Sequence, residues 1–306
     1  MTIALAQRID ISSGLSLQQR ALGAYIGLAV GDALGSTTEF MTPNEIRHQY
    51  GLHDKMIGGG WLKLKPGQVT DDTEMSLALG NSILQNAGVL PEKVAESFSQ
   101  WMRNKPIDIG NTVRRGIIHF RSSGSASVEV NEYDAGNGAC MRTLPLVIFY
   151  HDSPLELLIQ ASRAQSHVTH NNPVADAGTE TVLQMLLAAL HNQSLNSLKT
   201  LAAKLVSQDP VYRFDRRRVE NPGGYIVETL QAVFQALFSN SCFRTTLVDV
   251  VNRGGDADTT GAIAGMLSGM FYGVDDIPAD WTNSLDQTVK KACEQQALDL
   301  LDAARQ

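Results

Sequence analysis

Apolar residues recur at three- and four-residue spacings through most of the chain, while sustained two-residue alternation is nearly absent. That periodicity predicts helices over Leu17 to Leu34, Thr73 to Gln85, Glu92 to Met102, Thr112 to Phe120, Ala139 to Tyr150, Pro154 to Gln165 and Ala175 to Leu190. Further helices are expected over Leu195 to Val206, Tyr225 to Leu237, Thr245 to Val251, Thr260 to Tyr272 and Leu285 to Ala304. The expected fold class is an all-α globule. Two of its helices stand apart, because Gly23 to Gly35 and Ala262 to Gly273 are rich in Gly and Ala. Each interior Gly forgoes roughly 1 kcal/mol of helix propensity. Small residues at every fourth position let two backbones approach closely, so these helices are expected to pack together at the centre. The second apolar run, about eleven residues, is too short for the roughly twenty a bilayer span needs.

The connection from Lys55 to Gly67 contains Gly58, Gly59, Gly60 and Trp61 and leads straight to Thr70. It is expected to be either an ordinary surface loop or a mobile lid anchored by Trp61.

With 43% hydrophobic and 19% charged residues among 306, the chain can bury a large core and shows no linker composition. One domain over residues 1–306 is expected, with its core at about 20–275 and a C-terminal helix at about 283–304. A net charge of −7 argues against a general nucleic-acid binder. Arg213 with Arg216, Arg217 and Arg218 is the one basic cluster and reads first as a solvated face. Cys140, Cys242 and Cys293 are odd in number and widely spaced, which fits a reducing cytoplasm. Met1 to Gly14 carries no apolar stretch of the signal-peptide kind.

The chemistry concentrates in two acidic turns. Asn252-Arg-Gly-Gly-Asp-Ala-Asp-Thr-Thr-Gly261 and Val69-Thr-Asp-Asp-Thr73 each open an apolar or amphipathic helix. Either turn alone would be accounted for by helix capping. Together they carry Asp71, Asp72, Asp256 and Asp258 with Thr70 and Thr259, an all-oxygen set suited to Mg²⁺ or Mn²⁺ rather than zinc or copper. If the turns meet, they can hold two divalent ions about 3.5 to 4 Å apart. An EF-hand is excluded, because Leu267 stands where that loop needs its bidentate Glu.

Other polar groups suggest roles around such a centre. Glu39 reads as a metal ligand, a base for a metal-held water, or a solvated helix-end acid. Asp108, with Asn111 and Thr112, lies at a helix start and is a candidate acid/base. The turn from Asp134 to Arg142 offers free amides to a phosphate. His167 and His170 precede Pro173 without an accompanying nucleophile motif, so no hydrolytic triad is inferred.

In order and spacing these pieces resemble the ADP-ribosylglycohydrolases. The resemblance rests on Gly31-Asp-Ala-Leu-Gly35 leading to Glu39, Thr70-Asp-Asp-Thr73, Gly136-Asn-Gly-Ala-Cys-Met-Arg142, Thr169-His-Asn-Asn-Pro173 and Gly254-Gly-Asp-Ala-Asp-Thr-Thr-Gly261. It implies an all-α fold with a binuclear Mn²⁺ or Mg²⁺ centre that hydrolyses the bond between ADP-ribose and a protein arginine. It also implies that Glu39, Thr70, Asp71, Asp72, Asp256, Asp258 and Thr259 form the metal site. Asp108 and Glu39 would be catalytic. Asn111 would face the ribose and guanidino end, and Asn137, Gly138, His170 and Tyr225 would line the ADP-ribose cleft beside Asp134. Gly58 to Gln68 and Asp108 to Gly116 further resemble the family branch that acts on dinitrogenase reductase. That branch implies a PII-type signalling protein and an ammonium transporter as partners, which hold the enzyme at the membrane. The competing expectations are a glycohydrolase or phosphohydrolase acting on another ADP-ribose derivative, and a regulator that binds ADP-ribose without turnover.

Overall fold

The first and twelfth helices of the protein lie back to back, and their contact is made by backbone rather than by side chains. In the computed structural model, which describes residues 14–304, α1 (Leu17–Gly35) runs antiparallel to α12 (Ala257–Tyr272). Gly23, Gly27, Gly31 and Gly35 of α1 face Gly269, Gly265, Gly261 and Ala257 of α12 in reversed order. A methyl group on Gly31 would fall 2.0 Å from the Gly261 carbonyl oxygen, and one on Gly265 would fall 2.0 Å from that of Gly27. The four-residue spacing of small residues thus does what it predicts. Ser16 opens α1 with a reciprocal capping box to Gln19, and the buried Arg20 donates to the Met270 and Phe271 carbonyls at 3.1 Å, which satisfies the C-terminal end of α12.

The other helices wrap this axis. In chain order they are α2 (Pro43–Tyr50), α3 (Asp71–Asn86), α4 (Pro91–Arg103), α5 (Asn111–Ser123), α6 (Leu144–Phe149), α7 (Leu155–Ser166), α8 (Pro173–Leu190) and α9 (Leu195–Gln208). They continue with α10 (Ile226–Ser239), α11 (Phe243–Val251), α13 (Ala279–Ser284) and α14 (Gln287–Ala303). Helices α3, α8, α10, α11 and α14 all contact one or both axial helices, so the buried core forms around the pair. No strand occurs among the described residues, only isolated bridges at Gly59–Leu64 and Gly136–Tyr225. The all-α expectation holds. The expectation that residues 1–14 carry no signal peptide falls almost wholly outside the described residues.

Three local features refine the expectations. The helix expected from Ala139 begins only at Leu144, because Asn137 to Thr143 close in successive tight turns and Pro145 sits in the first helical turn. The expected C-terminal helix is present as α14, and its Gln296 accepts from the Tyr25 hydroxyl at 2.8 Å and donates to Leu77 and Asn81, tying it to α1 and α3. The segment from Lys55 to Gly67 is a docked turn rather than a loose lid. Gly59 and Leu64 exchange two 2.8 Å backbone bonds, and Thr37 donates to the Gly58 carbonyl. Gly58, Gly59 and Gly60 all have positive φ, and a methyl group on Gly60 would meet the Ser36 carbonyl at 2.2 Å.

Candidate metal centre and cleft

Asp32 prepares the first acidic turn. It is fully buried in α1, and its carboxylate accepts from the backbone N–H groups of Thr70 and Thr73 and from both hydroxyls, at 2.6 to 3.1 Å. These are the orphan donors of the α3 N-terminus, which has no side-chain cap of its own. Asp32 is pushed up to about 6 by burial, against the opposing pull of those four bonds. Asp71 and Asp72, the first residues of α3, are thereby free of any capping duty.

The second turn is set by glycines. Gly254 and Gly255 have φ of +70° and +67°, and methyl groups there would strike the Met41 and Pro222 carbonyls at 1.8 and 2.0 Å. Backbone bonds from Phe40 to Gly255 and from Gly255 to Met41 clamp the segment after α1 against the start of α12. Glu39, Asp256 and Asp258 consequently present ligand oxygens all within 4.8 Å of one another. The two acidic turns meet, since the Thr259 hydroxyl donates to Asp72 Oδ2 at 3.2 Å across 187 positions of sequence.

The donor set suits a hard cation. Asp72 Oδ1 is buried with no hydrogen-bond partner among the described residues, an arrangement that an oxygen-seeking cation would satisfy. Burial, then the repulsion of neighbouring carboxylates, holds Asp72 and Asp258 well above the usual carboxylate range. Asp71 is raised to about 8 by burial and by Asp108, and Glu39 to about 8 by burial, against the bond it accepts from Trp61. Among the residues lining the cleft above this floor, Arg114 is the single cation. Arg114 draws on Asp108 and the buried Arg142 on Asp71, but among the described residues neither is in ion-pair contact with the carboxylates of the floor.

That cleft, of about 730 Å³, gathers most of the expected residues: Glu39, Asp71, Asp108, Asn111, Asn137, Gly138, His170, Asp256, Asp258 and Thr259. Thr70 and Asp72 lie buried beneath it rather than on its surface, with the Thr70 hydroxyl donating to Asp32. Asp71 accepts from the Gly110 amide at 3.3 Å, which draws the start of α5, and Asp108 with it, to the rim. Asp108 is raised by burial, while Ile109 N–H fixes its Oδ1 at 2.8 Å. Asn137 donates to Asp256 Oδ2 at 2.6 Å and to the Thr229 hydroxyl at 3.0 Å.

Two expected residues stand beside the cleft and do not line it. Asp134 pairs with Arg115 and Asn131 and borders a separate depression of about 390 Å³. Tyr225 is 41% exposed and precedes α10, with its backbone bridged to Gly136. Conversely, the wall beside Glu39 is made by Phe40 and Trp61, whose ring centroids lie 5.3 Å apart, and Trp61 Nε1–H donates to Glu39 Oε2 at 2.5 Å. The motif reading assigned Trp61 an anchoring role and left Phe40 and Asp32 without one. A carboxylate inside an otherwise apolar Gly/Ala helix was the available signal for Asp32.

The likeness to known proteins extends along the whole of this architecture. The chain is 46% identical over 294 residues to the ADP-ribosyl-[dinitrogen reductase] glycohydrolase of Rhodospirillum rubrum, covering 95% of this chain and 99% of that one. It is 32% identical over 285 residues to the ADP-ribosylarginine hydrolase Tri1 of Serratia proteamaculans, covering 88% and 75%. A solved structure described as an ADP-ribosylglycohydrolase-related protein complex superposes with a TM-score of 0.84 at 33% identity, covering 94% of this chain and 99% of that one. A sequence model of the ADP-ribosylglycohydrolase family matches residues 13–306, so every segment of the cleft lies within the match, and the chain belongs to the ADP-ribosylglycohydrolase family.

Proposed function

We propose that the protein hydrolyses the N-glycosidic bond between ADP-ribose and an arginine side chain of a modified protein, using two divalent cations, Mn²⁺ or Mg²⁺. We further propose ADP-ribosylated dinitrogenase reductase as the substrate. The observation that carries the reading is the near full-length 46% identity to the Rhodospirillum rubrum glycohydrolase. The cations would be held by Glu39, Thr70, Asp71, Asp72, Asp256, Asp258 and Thr259. When bound, they supply Lewis acidity for activating water and for gripping the cis hydroxyls of ribose.

The chain's own groups divide the remaining work. Asp108 has one oxygen fixed by Ile109 N–H, which leaves Oδ2 to exchange a proton with the ribose ring or the departing guanidino nitrogen. Its raised proton affinity, from burial, favours that task. Glu39, oriented by Trp61, positions or deprotonates the attacking water. Asn137 steadies Asp256 and, with Gly138 and His170, borders the space for ADP-ribose; Asn111, on the same cleft, would face the ribose and guanidino end. Asp134 and Tyr225, expected to bind substrate, stand beside the cleft, Asp134 paired with Arg115 and Tyr225 bridged to Gly136.

The proposal includes a cytoplasmic location for a single-domain enzyme, with any membrane contact made through a PII-type protein and an ammonium transporter. No described helix is long and apolar enough to cross a membrane. The test is incubation with ADP-ribosylated dinitrogenase reductase and with an arginine-modified control protein, with and without Mn²⁺. Release of ADP-ribose with intact arginine, only when the cation is present, is expected. Release of phosphate or AMP would make the protein a phosphohydrolase, and ADP-ribose binding without turnover would make it a regulator.

A further inference from the structure

His170 is buried, and its ring lies on the Gly136 to Gly138 turn. A methyl group on Gly136 would come within 3.0 Å of Nε2, and one on Gly138 within 2.9 Å of Cε1. Nε2 has no hydrogen-bond partner among the described residues, and the residue lines the cleft. The other ring nitrogen, Nδ1, is 2.8 Å from the Thr169 hydroxyl. Which nitrogen carries the proton is decided by what stands behind Thr169.

Arg142 stands there. It is fully buried, and its Nη2 donates to Thr169 Oγ1 at 2.7 Å. A guanidinium has no acceptor, so Thr169 must accept this bond. The guanidinium cannot turn away, because Nε donates to Gln165 Oε1 at 2.7 Å, Nη2 also reaches the Gln165 carbonyl at 3.1 Å, and Cζ sits 4.5 Å over the Phe98 ring. Gln165 in turn donates to the Ala139 carbonyl at 3.1 Å, which locks the network to the turn beneath His170. The Thr169 hydroxyl then has one proton to place, and His170 Nδ1 is its acceptor. The opposite tautomer would set two protons against each other or leave the hydroxyl proton unpaired in a site where both residues are buried. Burial and the nearby Arg142 and Arg115 also depress the imidazole to about 3, which agrees with a neutral ring.

We propose that Arg142 and Thr169 are positioning residues that hold His170 as its Nε2–H tautomer, so that His170 offers a fixed hydrogen-bond donor, not a base, to an oxygen of bound ADP-ribose. The acceptor rests on the function proposed above. The tautomer does not, because it follows from the ligand-free protein.

The test uses the full chain loaded with Mg²⁺ and labelled with ¹⁵N-histidine, the His170 resonances being assigned by their absence in His170→Gln. The expected ligand-free spectrum shows Nε2 protonated and Nδ1 bare, with a mixture in Thr169→Val and the wild-type pattern restored in Thr169→Ser. A wild-type spectrum with the proton on Nδ1 would overturn the assignment whether or not the variants fold. The donor role is read by titrating ADP-ribose and, in parallel, ADP. His170→Gln, whose amide reaches the Nε2 position, should keep affinity within a few-fold, and His170→Asn should lose roughly 10- to 10²-fold, as for a hydrogen bond to a charged group. Loss on both ligands places the acceptor within the ADP portion, and loss on ADP-ribose alone places it on the terminal ribose. In Thr169→Val the defect should fall on KM while kcat changes little, because a bond made equally in ground and transition states acts on binding. Equal affinity of the Gln and Asn variants refutes the donor role. Wild-type protein that binds no ADP-ribose would overturn the function and the acceptor while leaving the tautomer decided.

Discussion

Two glycines at opposite ends of one helix contact separate the stability of this fold from the geometry of its site. Gly23 and Gly35 both lie in α1 against the α12 backbone, where a methyl group would fall 2.3 Å from the Gly269 oxygen and 2.1 Å from the Ala257 oxygen, respectively. Contacts below 3.0 Å essentially never occur at real Cβ atoms, and both opposing atoms are backbone, so the Gly→Ala changes must open the pair locally by roughly 0.7 Å at Gly23 and 0.9 Å at Gly35. Overpacking of this kind costs about 1–3 kcal/mol. Ala recovers up to about 1 kcal/mol of helix propensity, leaving a net loss of about 2 kcal/mol at the upper end of the range. For a domain of this size that lowers Tm by roughly 3–4 °C. The consequences for the metal centre should differ. A methyl group on Gly35 would also meet Asp258 Cα at 2.7 Å, and Gly35 stands four residues before Glu39, whereas Gly23 packs at the far end against Gly269 and Gly273. Calorimetric titration with Mn²⁺ should therefore show roughly tenfold weaker binding for Gly35→Ala, about 1.4 kcal/mol, and wild-type binding for Gly23→Ala. Equal Mn²⁺ affinity in the two variants, or a rise in Tm from either, would refute the claim that backbone contact sets both the fold and the site.

Three further outcomes follow from the acidic floor and its wall. Asp108→Asn should bind Mn²⁺ and ADP-ribose normally while turnover falls by about 10² to 10⁴, the range for an acid/base group; near-normal turnover in a steady-state assay would leave Asp108 a positioning role only. In cation-free protein, Asp32 at about 6 and Glu39 and Asp71 at about 8 hold protons that the unfolded chain releases near pH 4, so the stability they confer is full below pH 4 and is lost as pH rises to about 8. Thermal melts across that range should show this decline without cation and lose it in saturating Mn²⁺, which competes with the protons; a metal-free Tm that rises from pH 4 to 8 would contradict the burial of these groups. Trp61→Phe keeps the ring beside Phe40 but removes the N–H that orients Glu39, so Mn²⁺ affinity and turnover should both fall while Tm is nearly unchanged.

How much of this was legible in the sequence depended on whether a residue's partner lay close along the chain. The axial helices were readable because Gly recurs every four positions in each, and that pattern has few explanations other than backbone contact. Helix α2 escaped notice because it buries only Ile46, although Thr42 and Glu45 carry a capping box. Helix α13 buries only Trp281. The three glycines leave a surface loop and a mobile lid equally open in the sequence, because Gly60 is needed where the turn crosses the Ser36 carbonyl, a contact no local window contains. Proline at Gly59 would break the turn, because φ there is +89° and its N–H is bonded to Leu64. Asp134 fits a phosphate-binding turn by position, but its ion pair with Arg115 points it into the neighbouring depression.

Asp32 shows why the site needs more than its ligands. A helix that starts with two carboxylates would ordinarily fold one of them back onto its own free amides, as capping aspartates do. Here Asp32 reaches across from α1 to accept those amides and both neighbouring hydroxyls, so neither Asp71 nor Asp72 is drawn into capping. Because α1 is held against α12 by backbone contact, the same helix that caps α3 also carries Glu39 toward Asp256 and Asp258. The spacing between the two acidic turns is then set by main-chain atoms that have no rotamers to change. Carboxylates that repel one another are kept in place without relying on the cation to gather them, so little ordering is left for the cation itself to bring about.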